Sequence, residues 1–527
     1  MAKYSRPVKA EGAVAMIMLE ALRRRLRHCA LCLPLAALGP ASAAAQSPAA
    51  PAAHPAADRE KETAGGPAPA PRWKWDASIR LRGEAWNGVN MKAYGTESHP
   101  PAVPAGGADA SRSLGRSDDR LVLVRTIAGF TLRLSSALSA AAHLLDARTA
   151  GWSLSERRGT FFTDSSGAWV MNPNEEYLEF YDLYLQYRPR RLPGLTIKAG
   201  RQKIYYGDGR IFRVFGPGDW GNTGRWTWDA LHLSYRRGAH FLDAWLGGTK
   251  THDPRRFSLF HDHEFRGLGI YAHYEAARAL ALEPFFARRR GTSGRYRGAG
   301  TTRGNPDQYW AGARVCGPAS ARYIYDLTLV REWGRFVDVD VAAHAGAAAA
   351  GWNFTRLPMS PRVIAGYTYA SGEKAPPGLG GLADGTMSRF EPPFGANDYP
   401  YGRMNLMSWQ NMRDKEIDLF VFPSPRLEIK AEFHRFRLAQ PGDAWSFNGY
   451  RNRPGNRYSH VGDELDVVAR CALGRAVELQ FGGGRFLAGD FIRGNDIARN
   501  NASWLFLQVL YRFAYPGAAA NAPGAKP

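Results

Sequence analysis

The sequence predicts an all-β chain that closes into a transmembrane antiparallel barrel of about eighteen strands. Three observations predict it. From Trp73 to Phe513, short segments alternate apolar with polar residues, and no 3.6-residue periodicity of helical length interrupts them. The gaps between these segments alternate strictly between short turns and longer polar connections, as in barrels with short turns on one side and long loops on the other. No run of 18 or more apolar residues occurs, so spanning helices are not expected, and a closed barrel is the remaining way across a bilayer.

The 527 residues begin with what reads as a secretory leader, 1–45. Arg23-Arg24-Arg25-Leu26-Arg27 precedes an apolar run from Cys29 to Leu38, and Ala43-Ala44-Ala45 offers a cleavage site before Gln46. Translation is expected to start at Met16 or Met18. Seven basic and two acidic residues leave with the leader, lowering the formal charge from +21 to about +16. Cys29 and Cys32 leave as well, so their C-x-x-C is no redox site. Cys316 and Cys471 remain, and a disulfide between them is left open. Residues 46–72 read as a disordered Ala/Pro-rich periplasmic lead-in, and 514–527 as a disordered tail.

The first strand, WKWDASIRLRGEA at 73–85, sets Trp73, Trp75, Ile79 and Leu81 on one face and Asp76, Arg80, Arg82 and Glu84 on the other. An Arg or Lys turned to hydrocarbon costs about 2–4 kcal/mol at mid-membrane, so the charged face is expected to line a wet lumen. Turns are expected at 135–138, 189–194, 237–240, 276–279, 317–320, 355–361, 423–425 and 472–475. Longer gaps are expected at 87–118, 150–175, 205–224, 251–262, 291–304, 332–337, 371–412, 438–461 and 489–500, with 332–337 the shortest. A soluble sandwich or propeller predicts no such two-sided alternation, and no blade-length repeat is present. Outward sets are read at Tyr323, Tyr325, Leu327 and Leu329, at Val337, Val339 and Val341, and along the final strand from Leu505 to Phe513. Asp326, Thr328, Asp338, Asp340, Gln508 and Arg512 are their inward partners.

Lys plus Arg exceed Asp plus Glu by 69 to 48, but the arginines are scattered among aromatic strands, which argues against a nucleic-acid module. The mean hydropathy of −0.37 fits a soluble protein or a β-barrel, and the 12% aromatic content suits strands, turns and interfacial girdles better than helices. His261-Asp262-His263-Glu264 with His273 offers chelating types without a fixed third ligand, and no metal is expected. There is no Gly-x-Ser-x-Gly elbow, Walker loop or cofactor fingerprint, so neither an enzyme nor a cofactor is expected.

Motifs spread through 73–513 resemble the alginate-export family of outer-membrane porins. They are GRQKIYYGDGR at 200–210, RWTWDALHLSY at 225–235, AGYTYASGE at 365–373, EFHRFRLA at 432–439, DAW at 443–445 and VGDELDV at 461–467. The resemblance implies an eighteen-stranded barrel in the outer membrane of a Gram-negative bacterium. It also implies a non-enzymatic channel that exports an acidic uronate polysaccharide through an arginine-rich lumen. The implied partners are the polymer, outer-membrane lipid, the barrel assembly machinery and a separate periplasmic scaffold of helical repeats. The chain is expected to be a monomer. An uptake porin for small acidic sugars or anions is the alternative, and an outer-membrane hydrolase comes third.

The expected lumen cations are Arg80, Arg82, Arg125, Arg133, Lys198, Arg314, Lys430 and Arg470, with Glu84 among them tempering affinity. Arginine suits a polyanion because its fork pairs with carboxylates and stays charged. The resemblance supports a lumen-lining role for Asp146 and Arg148 at the end of strand three. Parity with Ile197 and Ala199 sets Arg201 outward, but Gly200 permits a bulge that turns it to the lumen, which is the expectation; an interfacial, snorkelling Arg201 is the other reading. The direction of Asp229 is open. In the 371–412 gap, Arg389, Tyr399, Tyr401, Arg403 and Trp409 are candidates for a gating loop that stacks on and pairs with sugars. An outward lid is the other reading.

Overall fold

Strands that alternate apolar and polar residues satisfy all their backbone hydrogen bonds in an apolar medium only when no edge is left free. A computed structural model of the chain meets that condition. It describes residues 72–89, 118–151, 175–214, 227–250, 257, 259, 263–277, 279–294, 296–298, 302–317, 322–373, 385–394, 400–446, 449–498 and 500–515. The expected leader, the lead-in up to 71 and the tail from 516 lie outside the described residues.

Eighteen long strands follow one another. They are β1 (Trp73–Asn87), β2 (Asp119–Arg133), β3 (Leu138–Ala150), β4 (Glu176–Tyr187), β5 (Leu195–Gln202) and β6 (Trp228–Arg237). Then come β7 (His240–Lys250), β8 (His263–Ala277), β9 (Leu280–Gly291), β10 (Asp307–Cys316), β11 (Tyr323–Phe336) and β12 (Val339–Asn353). The last six are β13 (Arg362–Ala370), β14 (Met412–Ser424), β15 (Leu427–Leu438), β16 (His460–Ala472), β17 (Val477–Ala488) and β18 (Ala502–Tyr515). Each pairs antiparallel with its chain neighbour. β18 returns to β1 from Trp75↔Tyr515 to Asn87↔Ser503, which closes the barrel. Thr386–Met387 adds a two-residue parallel bridge to β12, and Ile204–Tyr206 pairs with Phe212–Val214 inside the connection from β5 to β6.

Each of the eight expected turns marks a junction between consecutive strands, five of them overlapping a strand end. The expected gap at 332–337 lies mostly within a strand: β11 runs through it to Phe336, and only Val337 and Asp338 separate it from β12. The outward reading of Val339 and Val341 fails for a related reason. Leu329, an exposed outward residue, pairs with Gly346, so the even positions of β12 face out and the odd ones in. Val339 and Val341 pack against Met387, while Asp340 is exposed beside Arg335. Asp340 sits next to the hairpin at the strand's end, where an outward charge is cheap.

Along the middle of the strands the outer face is apolar. Ile79, Leu329, Leu465 and Leu505 are exposed there, and rings gather at the end with the short turns: Trp73 on Tyr515 at 5.6 Å, Trp75 on Phe513 at 5.1 Å, and Tyr323 on Trp352 at 4.3 Å. The main buried cluster lies within the barrel. Wall residues such as Trp228, Trp245 and Trp310 meet Phe212, Phe394, Met404 and Trp445 from the long connections.

Candidate functional site

Strand phase and register decide which charges share the inner wall. On β1, Arg80, Arg82 and Glu84 are buried and inward while Ile79 is exposed on the other face. Arg82 pairs with Glu84, and its guanidinium lies 5.5 Å from the Phe506 ring centroid. Arg125 stands opposite Arg80 on β2, and Arg133 keeps the same phase at the exposed turn end. Lys198 sits opposite His232, with its ammonium 4.4 Å from the Tyr184 ring centroid. Arg314 joins Glu283 at 2.7 Å and Asp326 at 2.9 Å. Lys430 joins Asp418 at 2.7 Å and also Glu432, and Arg470 joins Glu478 at 2.8 Å. The inner wall is therefore charged but internally paired, with carboxylates beside Arg82, Arg314, Lys430 and Arg470.

Three expected lumen residues take the outer phase instead. Asp146 is opposite Thr126 and Arg148 opposite exposed Val124, so the inward residues of β3 are Leu145 and Ala147. Asp146 and Arg148 form a bidentate pair at 2.6 and 2.7 Å on the outer rim. Arg201 keeps step with Ile197 and Ala199, because the ladder Ala199↔Leu231, Gly200↔Ala230, Arg201↔Asp229 runs without a slip. No bulge forms. Gly200 is needed for another reason: its φ is 121°, and a Cβ there would meet the Leu183 carbonyl at 2.3 Å. Arg201 is nonetheless 4% exposed, bonding Asp229 at 2.9 and 3.1 Å and buried Glu179, which stands opposite inward Leu145, at 3.0 Å, so its guanidinium is covered and paired. Asp229 thus faces Arg201, in phase with Leu231.

The connection after β13 enters the barrel. Tyr401 and Trp409 are fully buried, and Trp409 donates its indole N–H to the Tyr369 carbonyl. Arg403 pairs with Glu432, and its amide donates to Asp466 at 3.1 Å. Arg389 lies 3.4 Å from Asp443. Tyr399 lies outside the described residues. An outward lid is excluded for 385–394 and 400–411, which form a strap against the inner wall.

Sequence reasoning missed what holds that strap. Arg289 on β9 donates to Glu391 at 2.8 Å, the Trp310 indole donates to the Glu391 carbonyl at 2.9 Å, and the Glu391 amide donates to Glu332 at 2.8 Å. Arg210 was missed too. Its guanidinium joins Asp208 at 2.6 Å and Thr368 at 3.2 Å, and lies 5.2 and 6.0 Å from the Tyr401 and Trp409 ring centroids. Burial pushes the Asp208 carboxyl up, but Arg210 and Arg314 outweigh it and hold the group below the usual carboxylate range. The signal was present in Asp208-Gly209-Arg210, which closes the first quoted motif.

A family model described as alginate export matches residues 105–506. The chain belongs to the alginate export family. No curated protein matches it. Among solved structures it is similar to Acinetobacter baumannii OccAB3, at 11% identity over 84% of this chain and 99% of that one, with a TM-score of 0.50. It is also similar to the outer membrane protein OprD from Pseudomonas aeruginosa, at 11% identity over 84% and 94%, with a TM-score of 0.51. At that identity the likeness is one of fold.

In this alginate export family member the inner wall also has an acidic sector. Asp414, Glu416 and Asp418 of β14 face Glu432 and His434 of β15, with donor atoms in two groups of three lying within 4.8 Å of one another. His434 bonds Asp414 at 2.9 Å, and Lys430 and Arg403 lie among the remaining carboxylates, so nearby cations offset their repulsion. Of the histidines weighed for chelation, His263 lies 3.3 Å from Asp229 and His273 2.7 Å from Glu283; His261 and Asp262 lie outside the described residues. Cys316 and Cys471 are both free thiols.

Proposed function

We propose that the protein is an outer-membrane channel for an anionic uronate polysaccharide such as alginate, working in the export direction. The reading rests on one combination: a closed eighteen-strand barrel of the alginate export family whose outer belt is apolar and whose inner wall carries Arg80, Arg82 and Arg125. A barrel of this strand number leaves an aqueous interior. A chain bearing one carboxylate per sugar needs fixed cations that replace lost hydration. It also needs many weak contacts rather than one tight site. The carboxylates beside Arg82, Arg314 and Lys430 supply that moderation.

The strap supports a second reading, an uptake porin for small acidic sugars, because it takes up room that a polymer would need. One experiment separates the two. The protein is reconstituted in planar bilayers, the reversal potential is measured in a KCl gradient, and oligouronate is then added. Anion preference with uronate block supports the polysaccharide channel. Anion preference without block favours the porin. Cation preference overturns both.

A further inference from the structure

Two adjacent rungs of the outer face carry cations next to the loop end of the barrel. Arg413 of β14 lies beside Arg437 of β15, and Lys415 lies beside Arg435, with Tyr369 and Tyr367 of β13 flanking the two rungs. All four cations are exposed. Their phase is that of the apolar belt, because the next positions on the same strands are exposed Ile417 and Leu419. Together with Tyr367 the four cations line an open concavity of about 300 Å³.

Among the described residues only one of these charges is answered by a carboxylate. Arg435 is held by Asp463 at 2.9 and 3.0 Å, and Arg413 donates only to the Ala439 carbonyl at 3.3 Å. Lys415 and Arg437 have no carboxylate partner among the described residues. The turn end of the same outer face is built differently, from Trp73, Trp75, Phe513 and Tyr515.

We propose that this patch binds the phosphorylated headgroup of a lipid in the leaflet on the side of the long connections. Guanidinium forks and an ammonium at one concavity match phosphate oxygens. Basic pockets on a membrane-facing wall are a physical signature of anionic headgroup recognition. The apolar rungs of Ile417 and Leu419 lie where the acyl chains of the same molecule would run, and the tyrosines sit at the polar–apolar boundary. A polymer inside the barrel does not reach this face, so the site is separate from the translocation pathway. The proposal rests on the membrane-barrel reading above, but not on which solute crosses.

The test uses the full chain folded in detergent micelles, titrated with lipid A, with the same lipid stripped of its phosphates, and with inorganic pyrophosphate, and read by native mass spectrometry. The expected result is retention of lipid A, at least tenfold weaker retention of the stripped lipid, and at least tenfold weaker lipid A retention in K415Q/R437Q. R322Q, at the turn end, is the control and is expected to bind as the wild type does. Heat-dependent gel mobility confirms that each variant is folded. Equal binding of both lipids, or an unchanged double variant, overturns the proposal. Pyrophosphate binding with no preference for the lipid also overturns it, and assigns a free-anion site. Conductance of the same preparations is recorded separately, so failure of the channel reading is not mistaken for failure of the lipid site.

Discussion

Arg80 on β1 and Arg125 on β2 stand directly opposite one another on the inner wall, both almost fully buried. Like charges in opposed positions work against strand pairing unless neighbouring groups offset them. A wall that meets carboxylates has a use for such a pair. Arg80→Glu with Arg82→Glu should shift the reversal potential toward cations. A hydrogen bond to a charged group contributes about 1.5–3 kcal/mol, so uronate block should weaken about tenfold or more. Unchanged block would remove these arginines from the pathway.

Arg210 ties the β5–β6 connection to the strap through Asp208, Thr368 and the rings of Tyr401 and Trp409. The pair is only half-buried, so the loss on removing Arg210 falls mainly on its contacts with the strap. Arg210→Ala should loosen the strap, raise single-channel conductance and open 400–411 to protease. A variant with wild-type conductance and protease resistance would mean that the strap is held elsewhere, by Arg289 and Glu391.

Trp228 is fully buried on β6 and meets Phe394 of the strap edge-on at 4.7 Å between centroids. Trp228→Ala should lower unfolding stability by about 3–5 kcal/mol, read as a shifted urea midpoint. Leu505→Ala, on the exposed outer face, should change it far less. Similar losses at the two sites would contradict the placing of the packed core inside the barrel.

The free thiols of Cys316 and Cys471 lie on β10 and β16. Reductant should leave electrophoretic mobility and melting unchanged, and thiol titration of the unfolded mature chain should count two. A reductant-dependent mobility shift would contradict this.

Because the folded-state pKa of Asp208 lies below its ordinary value, its contribution is complete above the usual carboxylate range and is lost as pH falls through the lowered pKa. The Asp208–Arg210 tie should therefore hold at mildly acidic pH. The conductance difference between wild type and Arg210→Ala should be the same at about pH 8 and about pH 5. A wild-type channel that opens to the variant's level at the lower pH would contradict the assignment.

Much of the barrel was legible because its signal is local. The parity of Trp73 to Ala85 is visible in thirteen residues, and eight turns announce themselves by Pro, Gly and polar residues. Phase errors arose near strand ends, where position along the barrel axis matters as well as parity. Arg148, Arg201 and Asp340 are tolerated outward because they sit at the rim or carry partners there. No local pattern records that distance from the rim. The strap was half legible: Arg403 and Trp409 were singled out, but inward folding depends on Glu432, Trp310 and Arg289, which lie far away in sequence.

The seam between β1 and β18 has a consequence for biogenesis. Trp75 and Tyr515 are hydrogen-bonded neighbours 440 residues apart, so the ladder cannot be completed until nearly the whole chain has been made. Loop-closure entropy must be overcome before such a distant contact contributes, and non-local topologies fold slowly. Until the seam zips, β1 and β18 each present an open hydrogen-bonding edge beside an apolar face, the combination most prone to pair with the wrong strand. A truncation before Ala502 should therefore leave an aggregation-prone, unsealed sheet rather than a smaller pore.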